Sequence, residues 1–140
     1  MSRVFLDTNV LLDAALARDD GAAAAILTAC EYGVLDGCVS FLTVANMAYV
    51  LRKGRSAREL RGLLREYVRN VTVLPMEPGQ LERAYLVDAP DFEDVLQYEC
   101  AASGGCGTIV TSNVRHFCFA KGIDVMDKGE FAKRFAADAG

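Results

Sequence analysis

"RVFLDTNVLLDAAL" (residues 3–16) joins two hydrophobic periods. Arg3 to Leu6 is a short apolar run of strand type. From Thr8 to Arg18 apolar residues recur at helical spacing, at Val10, Leu11, Ala14 and Ala15. Asp7 falls where strand gives way to helix. An acid at that point can satisfy the open N–H groups of a helix start. It can equally be the first ligand of a metal site, and Thr8 or Asn9 could cap the helix without it.

Outward from this stretch the same alternation repeats. "DDGAAAAILTACEYG" reads as a helix starting at Asp19 or Asp20 and stopping at Gly33. "GCVSFL" is strand-like, and "TVANMAYVLRKG" is a helix from Thr43 to Gly54. Ser56 opens another helix that runs to about Arg69. "VTVLP" is a strand stopped by proline, and "EPGQLERAYLVD" a short helix. "PDFEDVLQYECAASGG" is a helix ending in glycines, "GTIVTSN" a strand, "IDVMD" an edge strand, and "KGEFAKRFAAD" a closing helix. Short strands separated by helices require crossover connections. They predict an α/β fold, with a mainly parallel central sheet of four or five strands and helices on both faces. Ligands of such sheets bind beyond the C-terminal strand ends. That rule selects Asp7, Thr8 and Asn9 after the first strand, Ser40 and Thr43 after the second, and Thr111, Ser112 and Asn113 after "TIV". The start of the helix carrying Asp91, Glu93 and Asp94 is a further candidate.

Bulk properties bound the function. The 140 residues are 52% hydrophobic and 24% charged, which suits one globular domain over residues 1–140. No apolar stretch reaches the roughly 18 residues of a membrane helix. The N-terminus lacks the pattern of a secretory signal, so a cytoplasmic protein with no membrane partner is expected. The five cysteines are odd in number and show no C-x-x-C pair, which speaks against a zinc site or a disulfide framework. A net charge of −4 argues against nonspecific coating of nucleic acid. It leaves room for an enzyme with a local basic rim. Arg58, Arg61, Arg65 and Arg69 recur at three- and four-residue spacing and form one helical stripe. The stripe is either a solvated face or a contact for phosphates or an acidic partner.

A small oxygen-lined site for Mg²⁺ or Mn²⁺ needs carboxylates and amide oxygens that converge at one sheet edge. Asp7, Asp94, Asn9 and Asn113 have that chemistry. Asp91 follows Pro90 and also reads as a plain N-cap, with Asp94 closing a capping box three residues on. Asn9 also suits a cap or turn, and Glu93 reads as solvent-facing. Two acids on one helix face cost more than a cap requires unless a cation joins them. His116, the only histidine, reads as structural unless it stands beside a reacting phosphate.

Taken together and in order, these segments resemble the PIN-domain family over nearly the whole chain. "VFLDTNVLLD" is similar to the family's opening, an apolar strand followed by D-x-N. "SFLTVAN" resembles its S-x-x-T-x-x-E motif, with Asn46 where an acid often stands. "DFEDVLQYECAASGG" resembles the third motif, with Asp94 as the family acid and Asp91 as an extra one. "TIVTSNVRHF" resembles the fourth, a strand ending in T-x-D or T-x-N, with Asn113 in the last place. "DFEDVLQY" and "TSNVRHF" are similar to a bacterial subgroup with DFEDALQ and TRNxxDF patterns.

The resemblance implies a three-layer α/β/α sandwich with an acidic pocket. It also implies metal-dependent ribonuclease activity, often as the VapC-like toxin half of a toxin–antitoxin pair. Asp7 and Asp94 would hold Mg²⁺ or Mn²⁺, with Asn113 and Asp91 supporting. Asn9, Thr111 and Asn46 would orient the ligands. RNA would be the substrate, with Arg58, Arg61, Arg65, Arg69 and His116 as candidate RNA or partner contacts. A small antitoxin and a homodimer are further expectations. Four positions depart from the family pattern: Asn46 and Asn113 are neutral, His116 stands where the subgroup often has Asp, and Ser112 where it often has Arg. With fewer acids, one weakly held ion is expected rather than a fixed pair. Two other readings compete. One is a catalytically weak or inactive PIN-fold binding module. The other is a haloacid-dehalogenase-like phosphatase with Asp7 as nucleophile, which normally needs a second acid where Asn9 stands.

Overall fold

The computed structural model describes residues 3–139, with side chains through residue 136. Met1, Ser2 and Gly140, part of the single domain expected over 1–140, lie outside the described residues. Five strands form one sheet: β1 (Arg3–Leu6), β2 (Asp36–Val39), β3 (Thr72–Val73), β4 (Thr108–Val110) and β5 (Asp124–Met126). Their order is β3-β2-β1-β4-β5 and every pairing is parallel. The helices are α1 (Thr8–Ala15), α2 (Ala22–Glu31), α3 (Phe41–Leu51), α4 (Ala57–Val68), α5 (Pro78–Ala84), α6 (Phe92–Ser103) and α7 (Lys128–Ala139).

The strands alternate between two hydrophobic layers, as a period of two dictates. Val4, Leu6, Val39, Val110 and Met126 face one layer, together with α1, α2, α3 and Phe131 of α7. Phe5, Cys38 and Ile109 face the other, with Cys100 and Ala101 of α6 and with Phe117. Both sheet faces are thus covered, which gives the expected three-layer α/β/α sandwich. Four cysteines are buried in these layers and Cys118 is exposed; all five are free thiols. Gly37 lets α2 approach β2 closely. A Cβ there would stand 2.6 Å from the Cys30 sulfur and 3.2 Å from a Leu6 methyl.

Several boundaries differ from the sequence expectation. Phe41 and Leu42 open α3 rather than ending a strand. Ser40 is the N-cap: its Oγ accepts from the Thr43 N–H at 3.3 Å, and Thr43 Oγ1 accepts from the Ser40 N–H at 3.2 Å. This capping box starts the helix two residues before Thr43 and carries an exposed Phe41 with it. Helix α1 stops at Ala15 rather than Arg18, because Ala17 turns into the left-handed region at φ 49°. Asp19 caps α2 from three residues before its start, accepting from the Gly21 and Ala23 N–H groups at 2.9 Å each. The strands β3 and β4 are shorter than "VTVLP" and "GTIVTSN" suggested. A 3-10 turn at Val114–Phe117, not expected from the sequence, follows β4.

The topology fixes the important edge. From β1 the chain winds outward to β2 and β3, then crosses to β4 and β5 on the other side. The switch point therefore lies between the C-terminal ends of β1 and β4, where open parallel sheets bind ligands. Leu6 is in register with Val110, so Asp7 and Thr111 leave the sheet side by side.

Candidate metal centre

Asp7 is the N-cap of α1 and is buried. Its Oδ1 accepts from the Thr8 N–H at 2.9 Å. Its Oδ2 accepts from Thr111 Oγ1 at 2.8 Å and from Asn9 Nδ2 at 3.1 Å. Cap and candidate ligand are therefore one residue, since a carboxylate has about four lone-pair sites and these bonds use three. Burial raises the Asp7 pKa, and the bonds from Thr111, Thr8 and Asn9 oppose that rise. Asn9 braces the loop as well: its Oδ1 accepts from the Ser112 N–H at 3.0 Å. Asn113 joins through its backbone N–H, which donates to Thr111 Oγ1 at 3.0 Å. Its exposed side chain makes no hydrogen bond among the described residues.

The second half of the site comes from the start of α6. Asp91 is the N-cap, and its Oδ1 accepts from the Glu93 and Asp94 N–H groups at 3.0 and 3.3 Å. Only this half of the expected capping box forms, so the Asp94 carboxylate remains available. Asp94 is 8% exposed, and its Oδ2 is buried without a hydrogen-bond partner. His116 Nδ1 lies 3.2 Å from that oxygen, outside hydrogen-bond geometry. Asp91, Asp94 and His116 each present one ligand atom within 4.8 Å of the others; Asp7 is not a member of that trio. Burial first, then the charges of Asp91 and Asp7, push the Asp94 pKa up to about 6, against the opposing influence of His116.

Two further residues complete the picture. Glu93 is exposed, as expected, and accepts a 2.6 Å hydrogen bond from Asn46 Nδ2 of α3. Burial, then the charges of Asp91 and Asp7, raise its pKa against the bond from Asn46. Gln97, fully buried one turn beyond Asp94, ties α6 to the cap of α3: Ser40 Oγ donates to its Oε1, and its Nε2 donates to Thr43 Oγ1 at 3.1 Å. A polar residue at i+3 on an otherwise buried helix face was the available signal. His116, a candidate RNA or partner contact, lies beside Asp94 with its side chain half exposed. Arg58, Arg61, Arg65 and Arg69 are all exposed. Arg69 lines a groove with Glu31, Glu66 and Tyr67 that includes none of the site residues.

A PIN-domain model of the family matches residues 3–115. The chain belongs to the PIN-domain family. This sets aside the phosphatase reading. No curated protein matches the chain. Among solved structures it is similar to FitAcB from Neisseria gonorrhoeae (17% identity, TM-score 0.69, covering 90% of this chain and 98% of that one). It is also similar to DNA-bound VapBC from Salmonella typhimurium (20%, 0.66, 91% and 99%). A third is VapBC2 from Rickettsia felis bound to a DNA fragment from their promoter (16%, 0.65, 89% and 98%). At these identities the likeness is one of fold. This PIN domain has the oxygen-rich donors that a hard divalent cation requires, plus one imidazole nitrogen. The orphaned Asp94 oxygen fits such an ion, since a buried carboxylate left unpaired is costly.

Proposed function

We propose that the protein is a metal-dependent ribonuclease that hydrolyses RNA phosphodiester bonds with Mg²⁺ or Mn²⁺. The observation that carries this reading is the buried, unpartnered Oδ2 of Asp94 beside Asp91 and His116 at the sheet's switch point. Asp94 and Asp7 would hold the ion, with Asp91 and Asn113 at its margin. Thr111 and Asn9 fix the Asp7 carboxylate, and Asn46 acts at one remove. A bound divalent cation supplies an activated water and neutralises phosphate charge. His116, whose side chain is half exposed, stands at the rim where it can contact an entering phosphate. The exposed Arg58–Arg69 stripe offers a second phosphate contact, or one for an acidic partner.

The VapC-like resemblance and the fold shared with VapBC structures support a toxin with a small antitoxin partner, acting in the cytoplasm. Among the described residues no helix is long and apolar enough to cross a membrane. Exposed Tyr85, Leu86 and Phe92, with Tyr85 stacked on Phe92, support an assembly surface and hence a homodimer. A second reading, a PIN-fold binding module, draws on neutral Asn46 and Asn113. The deciding experiment incubates the protein with a panel of structured and unstructured RNAs, with Mn²⁺, Mg²⁺ or chelator. Cleavage that needs the metal and is lost in Asp7→Asn and Asp94→Asn is expected. Metal binding without cleavage of any RNA would favour the binding module.

A further inference from the structure

Asn46 and Glu93 come from different helices and meet beside the acidic cluster. Asn46 is half-buried on α3, and its amide nitrogen is committed to Glu93 Oε1 at 2.6 Å. Glu93 sits between Asp91 and Asp94 in the first turn of α6. A glutamate at that position gains from the helix N-terminus wherever it points in the first turn. It needs no asparagine for that. This one is instead fastened by a residue of another helix, in the same first turn that carries Asp91 as cap and Asp94. Among the described residues no lysine or arginine pairs with Glu93, Asp94, Asp91 or Asp7. Among the described residues His116, with Nδ1 3.2 Å from Asp94, is the one basic side chain paired with these like charges, so a cation from solution is left to offset the rest. The buried, unpartnered Asp94 oxygen points independently to the same ligand.

We propose that Glu93, held in place by Asn46, supplies the cation pocket with the carboxylate that position 46 itself lacks. The neutral residue on α3 is then a positioning residue, and the acid has moved to α6. Glu93 is outside the tight Asp91–Asp94–His116 trio, so it acts from the flank of the pocket, accepting hydrogen bonds from cation-bound water. The inference rests on the metal site proposed above.

The test is Mn²⁺ titration of the full chain by calorimetry and by electron paramagnetic resonance of free Mn²⁺, at neutral pH and without RNA. Glu93→Gln is expected to weaken Mn²⁺ binding about 10- to 100-fold, in the range seen for outer-shell partners of metal sites. Because Glu93 is exposed, the far-ultraviolet spectrum of the variant should be unchanged. Asn46→Ala should weaken binding by a smaller factor. The exchange Asn46→Glu with Glu93→Gln should recover most of the loss, which a merely structural role for either residue does not predict. Wild-type affinity in Glu93→Gln, alongside lost binding in Asp94→Asn, would overturn this inference and leave the metal site standing. Unchanged binding in both variants, or no Mn²⁺ binding by the wild type, would overturn both.

Discussion

Two groups of carboxylates flank helix α1, and they are treated in opposite ways. Along its length Asp13 meets Lys128 and Arg18, and Lys128 also reaches Asp19 at 3.0 Å. Hydrogen bonds from the Ala23 and Gly21 N–H groups, then from Lys128, hold Asp19 at about 2. Toward the start of the helix, no lysine or arginine among the described residues pairs with Asp7, Asp91, Glu93 or Asp94, and Asp94 is pushed up to about 6. Ser112 links the two, donating from Oγ to Asp13 at 3.3 Å and from its N–H to Asn9, which in turn donates to Asp7. A fold that can neutralise one acidic group so fully, and leaves the neighbouring one frustrated, marks the second as the place for an external charge.

The contrast yields a graded set of outcomes. The largest concerns the frustrated group: Asp94→Asn or Asp7→Asn should reduce Mn²⁺ affinity by more than about 100-fold, beyond the loss typical of a supporting residue. Metal-dependent RNA cleavage should disappear with it. Next, Lys128→Met should destabilise the protein by about 1 kcal/mol, because it removes the ammonium shared by Asp13 and Asp19 and leaves them to Arg18 and to the Gly21 and Ala23 N–H groups. Thermal unfolding would show this, while Mn²⁺ affinity should stay close to wild type. Equal melting temperatures would break the comparison from the structural side.

A smaller effect follows from protonation. The Asp94 pKa is higher in the folded chain than in an unfolded one, whose value is near 3.8. The folded state therefore holds the extra proton between those values, and this group's contribution to stability falls as pH rises from about 4 to about 6. Without metal, Asp94→Asn should melt higher than wild type at pH 7.5, by about a few degrees. At pH 4 the two should coincide. A variant that melts lower than wild type at pH 7.5 would remove the claim of frustration. Smallest of all, replacing Arg61 and Arg65 by alanine should leave the melting temperature unchanged within about 1 °C, as expected for exposed positions. RNA affinity should drop only a few-fold and with a shallower salt dependence, if the stripe touches phosphate.

Much of this was legible from sequence. The strand–acid–helix junction at Asp7 and the alternation of short strands with helices led to the right sheet, including β5 at its edge. Asp7, Asp91 and Asp94 could be chosen because a parallel sheet has only one ligand-binding edge. What escaped was long-range pairing. Phe41 and Leu42 look like strand because the Ser40–Thr43 capping box competes with a local apolar run. Glu93 is exposed as its sequence suggests, but nothing local announces its bond to Asn46, 47 positions away on another helix. Lys128 gives no local sign that it will meet Asp13 and Asp19. His116 gains its neighbour through a 3-10 turn that no hydrophobic period announces.

The most direct test of the account places the two acidic groups side by side. Mn²⁺ binding is measured by calorimetry at neutral pH for the wild type, Asp94→Asn and Lys128→Met. The account predicts that the wild type and Lys128→Met bind with similar affinity and that Asp94→Asn does not bind. Retained Mn²⁺ binding in Asp94→Asn would contradict it.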